Sequence, residues 1–267
     1  MAAWSALESE LDRWAETDRA ATMWWRDDDA TTSTDALVRA LVLADSFDVS
    51  VALAVVPARF DSTLRPLISQ HSRAVVLQHG YAHQNHARAG ERKIELGPQR
   101  PFMHTLADLA TGWQRLETEL CPQAIPVLVP PWNRLAPGLA PLLPEVGFQG
   151  LSTFGPRQRP RTTERLTRAN VHVDIIDWRH GRRFVGLTAA VTQLVSHLQS
   201  RRVGDVDSTE PTGIMTHHAD HDAECWQFLE ALLTRTTRHP AARWLAATDI
   251  FSSTDIAGPR DGRQPHG

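Results

Sequence analysis

The chain has 267 residues, of which 42% are hydrophobic and 22% are charged, a composition typical of a globular protein. Its formal charge of −3 and pI near 6.5 leave no basic surface for a nucleic-acid backbone, so nucleic-acid binding is not expected. No segment approaches the roughly 18 consecutive apolar residues that would span a membrane. The N-terminal segment lacks the cationic start and apolar run of a signal peptide, so the sequence predicts a cytoplasmic protein without membrane association.

Predicted helices and strands alternate along the chain. Helical spacing predicts helices over residues 3–18, 34–47, 62–70, 102–120, 139–145, 187–202 and 222–236, with Thr34 as the N-cap of the second. Runs of β-branched and aliphatic residues predict strands at 21–25, 49–56, 74–77, 125–129, 150–153, 171–176 and 214–216, with a further strand at 246–250. This alternation predicts an α/β fold with a mostly parallel sheet, either open or closed into a barrel.

No internal repeat or linker divides this pattern, so we expect one main domain. We assign residues 1–20 to an N-terminal helix, 21–256 to the main domain and 257–267 to a disordered tail. Two stretches without predicted elements, 81–100 and 156–169, have the length of lids or binding loops.

Five of the predicted strands end in chemically unusual sequences. Ligand sites in parallel α/β sheets lie outside the carboxyl ends of the strands, so these sequences are candidates for one shared site. In chain order they are RDDD from Arg26, QHGYAH from Gln78, PPWNR from Pro130, DWR from Asp177 and HHAD from His217.

The first two of these sequences contain candidate metal ligands. Three adjacent carboxylates repel one another unless a cation relieves the repulsion, and a cation there would leave a neighbouring carboxylate free to act as a base. His79 and His83 are four residues apart, so a helical turn starting at Gly80 would place both imidazoles on one side. Two histidines and a carboxylate suit a divalent metal with an open position for water. His86 is an alternative ligand.

A candidate general acid follows the strand at 214–216. Side chains alternate along a strand, so one of His217 and His218 would face the pocket and the other would face away. A histidine near a metal-activated water can protonate a leaving amine if a carboxylate orients its ring. The carboxylates available for this purpose are Asp174, Asp177 and Asp220.

Taken together, these motifs resemble those of the NodB-type polysaccharide deacetylases, metal-dependent enzymes that remove N-acetyl and sometimes O-acetyl groups from sugars. The five family motifs have counterparts in the same order between Trp24 and Asp220, roughly three quarters of the chain. The resemblance implies a distorted (β/α) barrel with about seven parallel strands. It also implies a divalent metal cofactor, for which Zn²⁺ is the expected ion.

The resemblance assigns roles to the first two motifs. Asp28 corresponds to the catalytic base and Asp29 to a metal ligand, although the triplet also allows the register Asp27-Asp28. His79 and His83 would complete the metal triad.

The match contains two departures from the family pattern. The third family motif, Arg-x-Pro-Tyr, corresponds to the sequence VPPW ending at Trp132, whose backbone N–H would contribute to an oxyanion hole. Val129 stands at the family's arginine position, so the guanidinium that steadies the base would have to come from Arg26 or Arg134. Gly80 stands where the family has a hydroxyl residue.

The last two motifs supply the acid. Asp174, and the pair Asp177-Trp178 after it, resemble the fourth motif, and the sequence MTH ending at His217 resembles the fifth. By this match His217 is the general acid, positioned by Asp174 or Asp177.

The resemblance thus implies a metal-dependent hydrolase that removes an acetyl group from an N-acetylated sugar or related amide. Its partner would be a carbohydrate or another N-acetylated small molecule. The alternative is a non-catalytic, metal-stabilised carbohydrate-binding domain of the same fold. The missing arginine of the third motif favours that alternative, whereas the retained base and acid argue against it.

Overall fold

The computed structural model describes residues 2–163 and 165–252. The helices in these ranges are α1 (Ala2–Ala15), α2 (Asp35–Ser46), α3 (Leu64–Ser69), α4 (Phe102–Leu120), α5 (Leu187–Val203), α6 (Ala223–Thr236) and α7 (Ala247–Phe251). The strands are β1 (Ala21–Ala30), β2 (Val51–Val55), β3 (Ala74–His79), β4 (Ala124–Val129), β5 (Gly150–Leu151), β6 (Arg161–Thr163), β7 (Leu166–Arg168), β8 (Val173–Asp174), β9 (Ile176–Asp177), β10 (Arg183–Phe184), β11 (Thr212–Thr216) and β12 (Ala242–Trp244). Short 3₁₀ segments cover Pro131–Asn133, Ala140–Val146 and His218–Asp220.

Seven parallel strands form a distorted barrel. Their spatial order is β5-β4-β3-β2-β1-β11-β8, and every neighbouring pair in this series is parallel. A parallel bridge between Phe154 and Val171 joins the two ends of the series. The predicted α/β class, with a barrel of about seven parallel strands, is confirmed.

The barrel strands are apolar because they are covered on both faces. All five residues of β2 are buried, as are all six of β3. Inward-facing side chains such as Trp24, Leu77 and Val129 pack inside the barrel. Outward-facing ones pack under the helices, where the apolar faces of α1 and α5 cover one side and those of α2 and α6 cover another. The interior is therefore a packed core, and it leaves a site only at the strand ends.

Most predicted elements lie within a few residues of their expected positions. The helix predicted at 102–120 matches α4 at both ends, and Thr34 caps α2 by accepting a hydrogen bond from the Leu37 backbone N–H at 3.1 Å. The helix predicted at 139–145 is a 3₁₀ segment, because Pro144 inside it has no N–H to donate.

Three predictions were wrong. The strand expected at 246–250 is the helix α7, whose Phe251 packs into the barrel interior, and the nearby strand is instead β12, paired with β1. The stretch 156–169 contains an antiparallel hairpin of β6 and β7. The strand expected at 171–176 is divided into β8 and β9, of which β9 pairs with β10 in a separate two-stranded sheet.

Two other features bear on the sequence predictions. No helix in the described part of the chain is both long and apolar enough to cross a bilayer. The tail predicted at 257–267 lies outside the described residues.

Candidate active site

The carboxyl ends of the barrel strands surround a cavity of about 450 Å³. Its walls come from β1, from the segments that follow β3 and β4, and from the segments around β8 and β11. Side chains from all five sequence motifs line it, among them Asp28, Asp29, His79, Trp132, Asp174 and His217. The predicted convergence of these motifs at one end of the sheet is therefore observed.

An irregularity in β1 brings two adjacent carboxylates into this cavity. In a regular strand Asp28 and Asp29 would face opposite sides. The pairing of β1 with β2 shifts register between Asp27 and Ala30, and Asp29 has a left-handed backbone with φ 71°. A bulge of this kind re-aims a side chain, and both Asp28 and Asp29 line the cavity. β1 accordingly continues to Ala30, past the predicted end of the strand.

Asp29, His79 and His83 form a cluster of metal-type ligands, here named the carboxyl-end cluster. Asp29 Oδ1 lies 3.1 Å from His79 Nε2 and 3.2 Å from His83 Nε2. These separations approach the roughly 3.3 Å edge of a tetrahedron with bonds of about 2.0–2.1 Å to a central ion. Asp29 Oδ1 is also buried without a hydrogen-bond partner. The cluster therefore fits a divalent cation such as Zn²⁺, whereas His86 is not part of it.

Hydrogen bonding leaves the ligand atoms of this cluster free to face one another. His79 Nδ1 lies 3.0 Å from the Val129 carbonyl oxygen and donates to it, which places the ring's lone pair on Nε2. Burial opposes ionisation of Asp29, but the histidines beside it hold the pKa of this carboxyl below its usual value. The same carboxylate and Asp28 raise the pKa of His79 against the effect of burial, so a cation bound here would displace a proton from His79 Nε2. Burial and the charge of His79 lower the pKa of His83. An anionic carboxylate and a neutral imidazole are the forms that bind metal.

Glu95 holds the loop that carries His83. The helical turn predicted after His79 does not form, because Gly80 and His83 both have left-handed backbones, with φ 55° and 54°. The buried Glu95 carboxylate instead accepts hydrogen bonds from the backbone N–H groups of Tyr81 at 3.2 Å and Ala82 at 2.7 Å. A Cβ atom at residue 80 would lie 2.0 Å from Glu95 Oε2. The glycine at the family's hydroxyl position is thus explained by the carboxylate beside it.

Arg26 supplies the guanidinium that the sequence lacks at Val129. Its Nε donates to Asp28 Oδ1 at 2.8 Å and its Nη2 donates to Asp28 Oδ2 at 2.9 Å, a bidentate pair that fixes the carboxylate. Both residues are buried and lie on the same face of β1, two positions apart. Arg134, the other candidate, instead donates to the Lys93 carbonyl oxygen at 2.7 Å.

Two residues that sequence analysis did not single out orient Arg26. Its Nη1 donates to Ser152 Oγ at 2.8 Å, and its Nη2 donates to Asn133 Oδ1 at 2.7 Å. Asn133 belongs to the PPWNR motif and has a left-handed backbone, as does Trp132 before it. Asparagine adopts this conformation more readily than most residues, which is the signal that could have drawn attention to it.

His217 faces the cavity and His218 faces away from it, as strand alternation predicts. His217 Nε2 lies 3.9 Å from Asp28 Oδ2, and its ring packs edge-on against Trp178 at a centroid distance of 4.6 Å. Asp174 accepts hydrogen bonds from the Ile176 N–H at 3.0 Å and from Trp178 Nε1 at 2.7 Å. Asp174 therefore positions the indole against which His217 packs. Burial raises the pKa of the Asp174 carboxyl.

Asp177 is not brought into the cavity. Its carboxylate pairs with His180 Nδ1 at 2.8 Å and accepts backbone hydrogen bonds from Arg179 and His180 in a surface turn. The expectation that Asp177 orients His217 is therefore wrong for this structure. Asp220, the third carboxylate considered, does line the cavity and lies 3.6 Å from Arg182.

Asp27 lies on the opposite face of β1, outside the cavity. Its buried carboxylate accepts hydrogen bonds from Thr216 Oγ1 and the His218 backbone N–H, and it also contacts His218 Nδ1. These partners occupy both oxygens of Asp27. The structure therefore brings Asp28 and Asp29, and not Asp27, to the histidines of the cavity.

A second buried group of metal-type ligands, the amino-end cluster, consists of His172, His197 and Glu210. His172 Nδ1 accepts a hydrogen bond from the Gly213 N–H at 3.0 Å, so the proton of a neutral His172 ring is on Nε2, the atom beside Glu210. The two imidazoles are stacked, with centroids 3.4 Å apart and planes inclined by 15°, so a cation in the plane of one ring lies off the plane of the other. This group does not fit a metal.

Comparisons with known proteins identify solved structures that share this fold. No family model and no curated protein matched the chain. A protein from Mycobacterium smegmatis assigned as a polysaccharide deacetylase is 16% identical, with a TM-score of 0.59 over 87% of this chain and 89% of its own. Peptidoglycan deacetylase PdaC from Bacillus subtilis is 11% identical, with a TM-score of 0.52 over 86% and 90%. A peptidoglycan N-acetylglucosamine deacetylase is 12% identical, with a TM-score of 0.51 over 87% and 88%. The chain thus has the fold of the polysaccharide deacetylases, as its motifs predicted.

Proposed function

We propose that this protein is a metal-dependent hydrolase that removes the acetyl group from an N-acetylated sugar or a closely related amide. One observation carries the proposal: a metal-type cluster, an arginine-bound carboxylate and a histidine line one cavity. The fold is that of proteins described as polysaccharide and peptidoglycan deacetylases.

Asp29, His79 and His83 would hold the cation. A divalent ion bound there supplies polarisation of the acetyl carbonyl and acidification of the attacking water. The three side chains would fill three positions of a four-coordinate site, which would leave one position open for catalysis.

Asp28 is the proposed general base. Its two oxygens are held by Arg26, so the carboxylate is fixed in direction before substrate arrives. Each oxygen retains a lone pair beyond the one used by the guanidinium, and one of these takes a proton from the water that attacks the acetyl carbon.

Trp132 and His217 complete the proposed reaction. The backbone N–H of Trp132 is the proposed donor to the oxyanion of the tetrahedral intermediate, a contribution of about 3 kcal/mol for one such donor. His217 then donates a proton to the sugar nitrogen as the carbon–nitrogen bond breaks, which releases acetate and the free amine. Trp178, held by Asp174, limits the rotation of the His217 ring.

The alternative of a non-catalytic carbohydrate-binding domain loses its main support. That alternative was favoured by the absence of an arginine at Val129. Arg26 instead supplies a guanidinium to Asp28 from a different strand, and a pure binding site has no need for a carboxylate oriented in this way.

The test is acetate release from a panel of N-acetylated sugars by the metal-loaded protein. Asp28→Asn should retain the metal, because Asp28 is outside the carboxyl-end cluster, and should lower turnover by about a thousandfold, since it lacks the base. Asp177→Asn is the matched control, since its carboxylate lies in a surface turn. Full activity of Asp28→Asn would remove Asp28 from the role of base, and no acetate release from the wild type would refute the proposed function.

A further inference from the structure

One wall of the cavity carries a group of positive charges that the proposed chemistry does not use. Lys93, the only lysine of the chain, and Arg134 both line the cavity. Burial and the charge of the neighbouring Arg92 lower the pKa of the Arg134 guanidinium. We name Arg92, Lys93 and Arg134 the cationic edge.

The cationic edge has no anionic partner among residues 2–163 and 165–252. None of its three side chains forms an ion pair there, although most buried or half-buried arginines of the chain do, such as Arg26 and Arg157. The carboxylates nearest in the sequence are directed elsewhere, Glu91 toward the Arg88 backbone N–H and Gln99, and Glu95 toward the backbone N–H groups of Tyr81 and Ala82. Like charges held together without a counter-charge raise the local positive potential and attract an anion.

The cationic edge is built into the site. Arg134 Nη1 donates to the Lys93 carbonyl oxygen at 2.7 Å, and the segment behind it is tied to the same loop by a bridge between Leu96 and Leu135. The Lys93 ammonium lies 6.0 Å from the centre of a Trp132 ring, whose other neighbour is His83 at a centroid distance of 4.4 Å. The positive charge is therefore separated from the carboxyl-end cluster by one indole.

The opposite wall has different electrostatics. Asp174 and Asp220 lie there, and the guanidinium on that side, Arg182, has its Nη1 3.6 Å from Asp220 Oδ1. Strand order places these residues near β8 and β11, across the barrel from β3 and β4, which carry the loops of the cationic edge. Among the described lysine and arginine side chains that line the cavity, those without a carboxylate partner are thus on the Trp132 side.

We propose that the substrate carries an anionic group, a phosphate or a carboxylate, and that the cationic edge binds this group while the acetamido group faces the carboxyl-end cluster. This inference rests on the proposed deacetylase function and names the chemical class of its substrate. Arg134 would bind the anion through its planar guanidinium and Lys93 as a point charge.

The experiment compares kcat/KM of the metal-loaded protein for four substrates: N-acetylglucosamine, its 1-phosphate, its 6-phosphate, and N-acetylmuramic acid, which carries a carboxylate. At least one anionic substrate should exceed the neutral sugar by about tenfold or more, the effect of one charge-assisted contact. The substrate that gains most identifies the anion and its position. Raising the salt concentration from about 0.05 to about 0.5 M should reduce this preference, because the cationic edge is exposed.

The double variant Lys93→Gln/Arg134→Gln isolates the contribution of the cationic edge. It should lower kcat/KM at least tenfold more for the preferred anionic substrate than for N-acetylglucosamine. The control Arg238→Gln/Arg243→Gln removes the same number of charges from exposed positions away from the cavity and should leave the preference intact.

The outcomes separate this inference from the proposed function. Equal kcat/KM for neutral and anionic substrates would overturn the role of the cationic edge and leave the deacetylase proposal standing. If no substrate is cleaved, the deacetylase proposal fails. In that case we measure, by calorimetry, the binding of the sugar phosphates and of N-acetylmuramic acid to the metal-free protein. The role of the cationic edge is rejected unless one of these ligands binds to the wild type and binds more weakly to the double variant.

Discussion

The two histidine-carboxylate clusters of this protein lie at opposite ends of the barrel and differ in how their rings are hydrogen-bonded. At the carboxyl end, His79 Nδ1 donates to a carbonyl oxygen, so Nε2 presents a lone pair to Asp29. At the amino end, His172 Nδ1 accepts from a backbone N–H, so Nε2 carries the proton. Residue types and distances alone would have ranked the two clusters equally. The partner of the second ring nitrogen decides which one is suited to a cation.

The carboxylates of the two clusters, Asp29 and Glu210, also differ in their hydrogen bonds. Asp29 Oδ1 has no hydrogen-bond partner. Each oxygen of Glu210 already accepts a backbone N–H, from Arg157 at 2.8 Å and from Asn170 at 2.9 Å. Glu210 therefore satisfies buried backbone groups, while Asp29 has capacity for a ligand.

Metal content gives the largest expected contrast between the two clusters. We expect one equivalent of Zn²⁺ in the wild type and a complete loss of that equivalent in His79→Gln. Turnover should fall by about a thousandfold in this variant, because a catalytic metal contributes several kcal/mol to the rate. His172→Gln, the matched change at the amino end, should keep the full equivalent. Elemental analysis after dialysis measures both, and loss of metal from His172→Gln would refute the distinction drawn here.

The free energy of unfolding should depend on pH through the amino-end cluster. Burial and the charge of His172 lower the pKa of His197 to about 2. The unfolded ring binds a proton below about pH 6.5, whereas the folded ring stays neutral, so this residue makes folding less favourable as the pH falls from that point. Between pH 7 and 5 the expected loss attributable to His197 is about 2 kcal/mol.

Urea denaturation at pH 7 and pH 5 checks this expectation. His197→Gln should show a smaller pH dependence than the wild type, and His104→Gln, a change at an exposed helical position, should not differ from it. Equal pH dependence in all three proteins would mean that His197 is protonated in the folded state.

The smallest expected effect concerns the loop that carries His83. Glu95→Gln removes the negative charge that accepts the Tyr81 and Ala82 N–H groups and should weaken metal binding about tenfold, as loss of outer-shell support does at other metal sites. Glu91→Gln changes an exposed carboxylate of the same stretch and serves as the control. Competition with a metal indicator measures the two affinities, and unchanged affinity in Glu95→Gln would show that the loop keeps its form without this charge.

The strand ends that carry chemistry predicted the convergence of the site, whereas closure of the sheet into a barrel was implied only by the resemblance to the deacetylase motifs. Alternating helices and strands are a local property, so composition and periodicity revealed them. Strand alternation also indicated that only one of His217 and His218 would enter the cavity. Asp177 was a misleading candidate because its turn contacts were invisible in the sequence.

Sequence by itself therefore determined the α/β class, the strand ends that carry chemistry and the identities of most side chains in the cavity. The tertiary structure decided which of three adjacent aspartates faces the histidines, through a bulge at Asp29, and which arginine holds Asp28. It also revealed that Glu95 holds the loop after β3 and leaves no room for a side chain at Gly80, and that Arg134 is tied to Lys93. These decisions rest on contacts between residues far apart in the chain, and such contacts exist only once the barrel has closed.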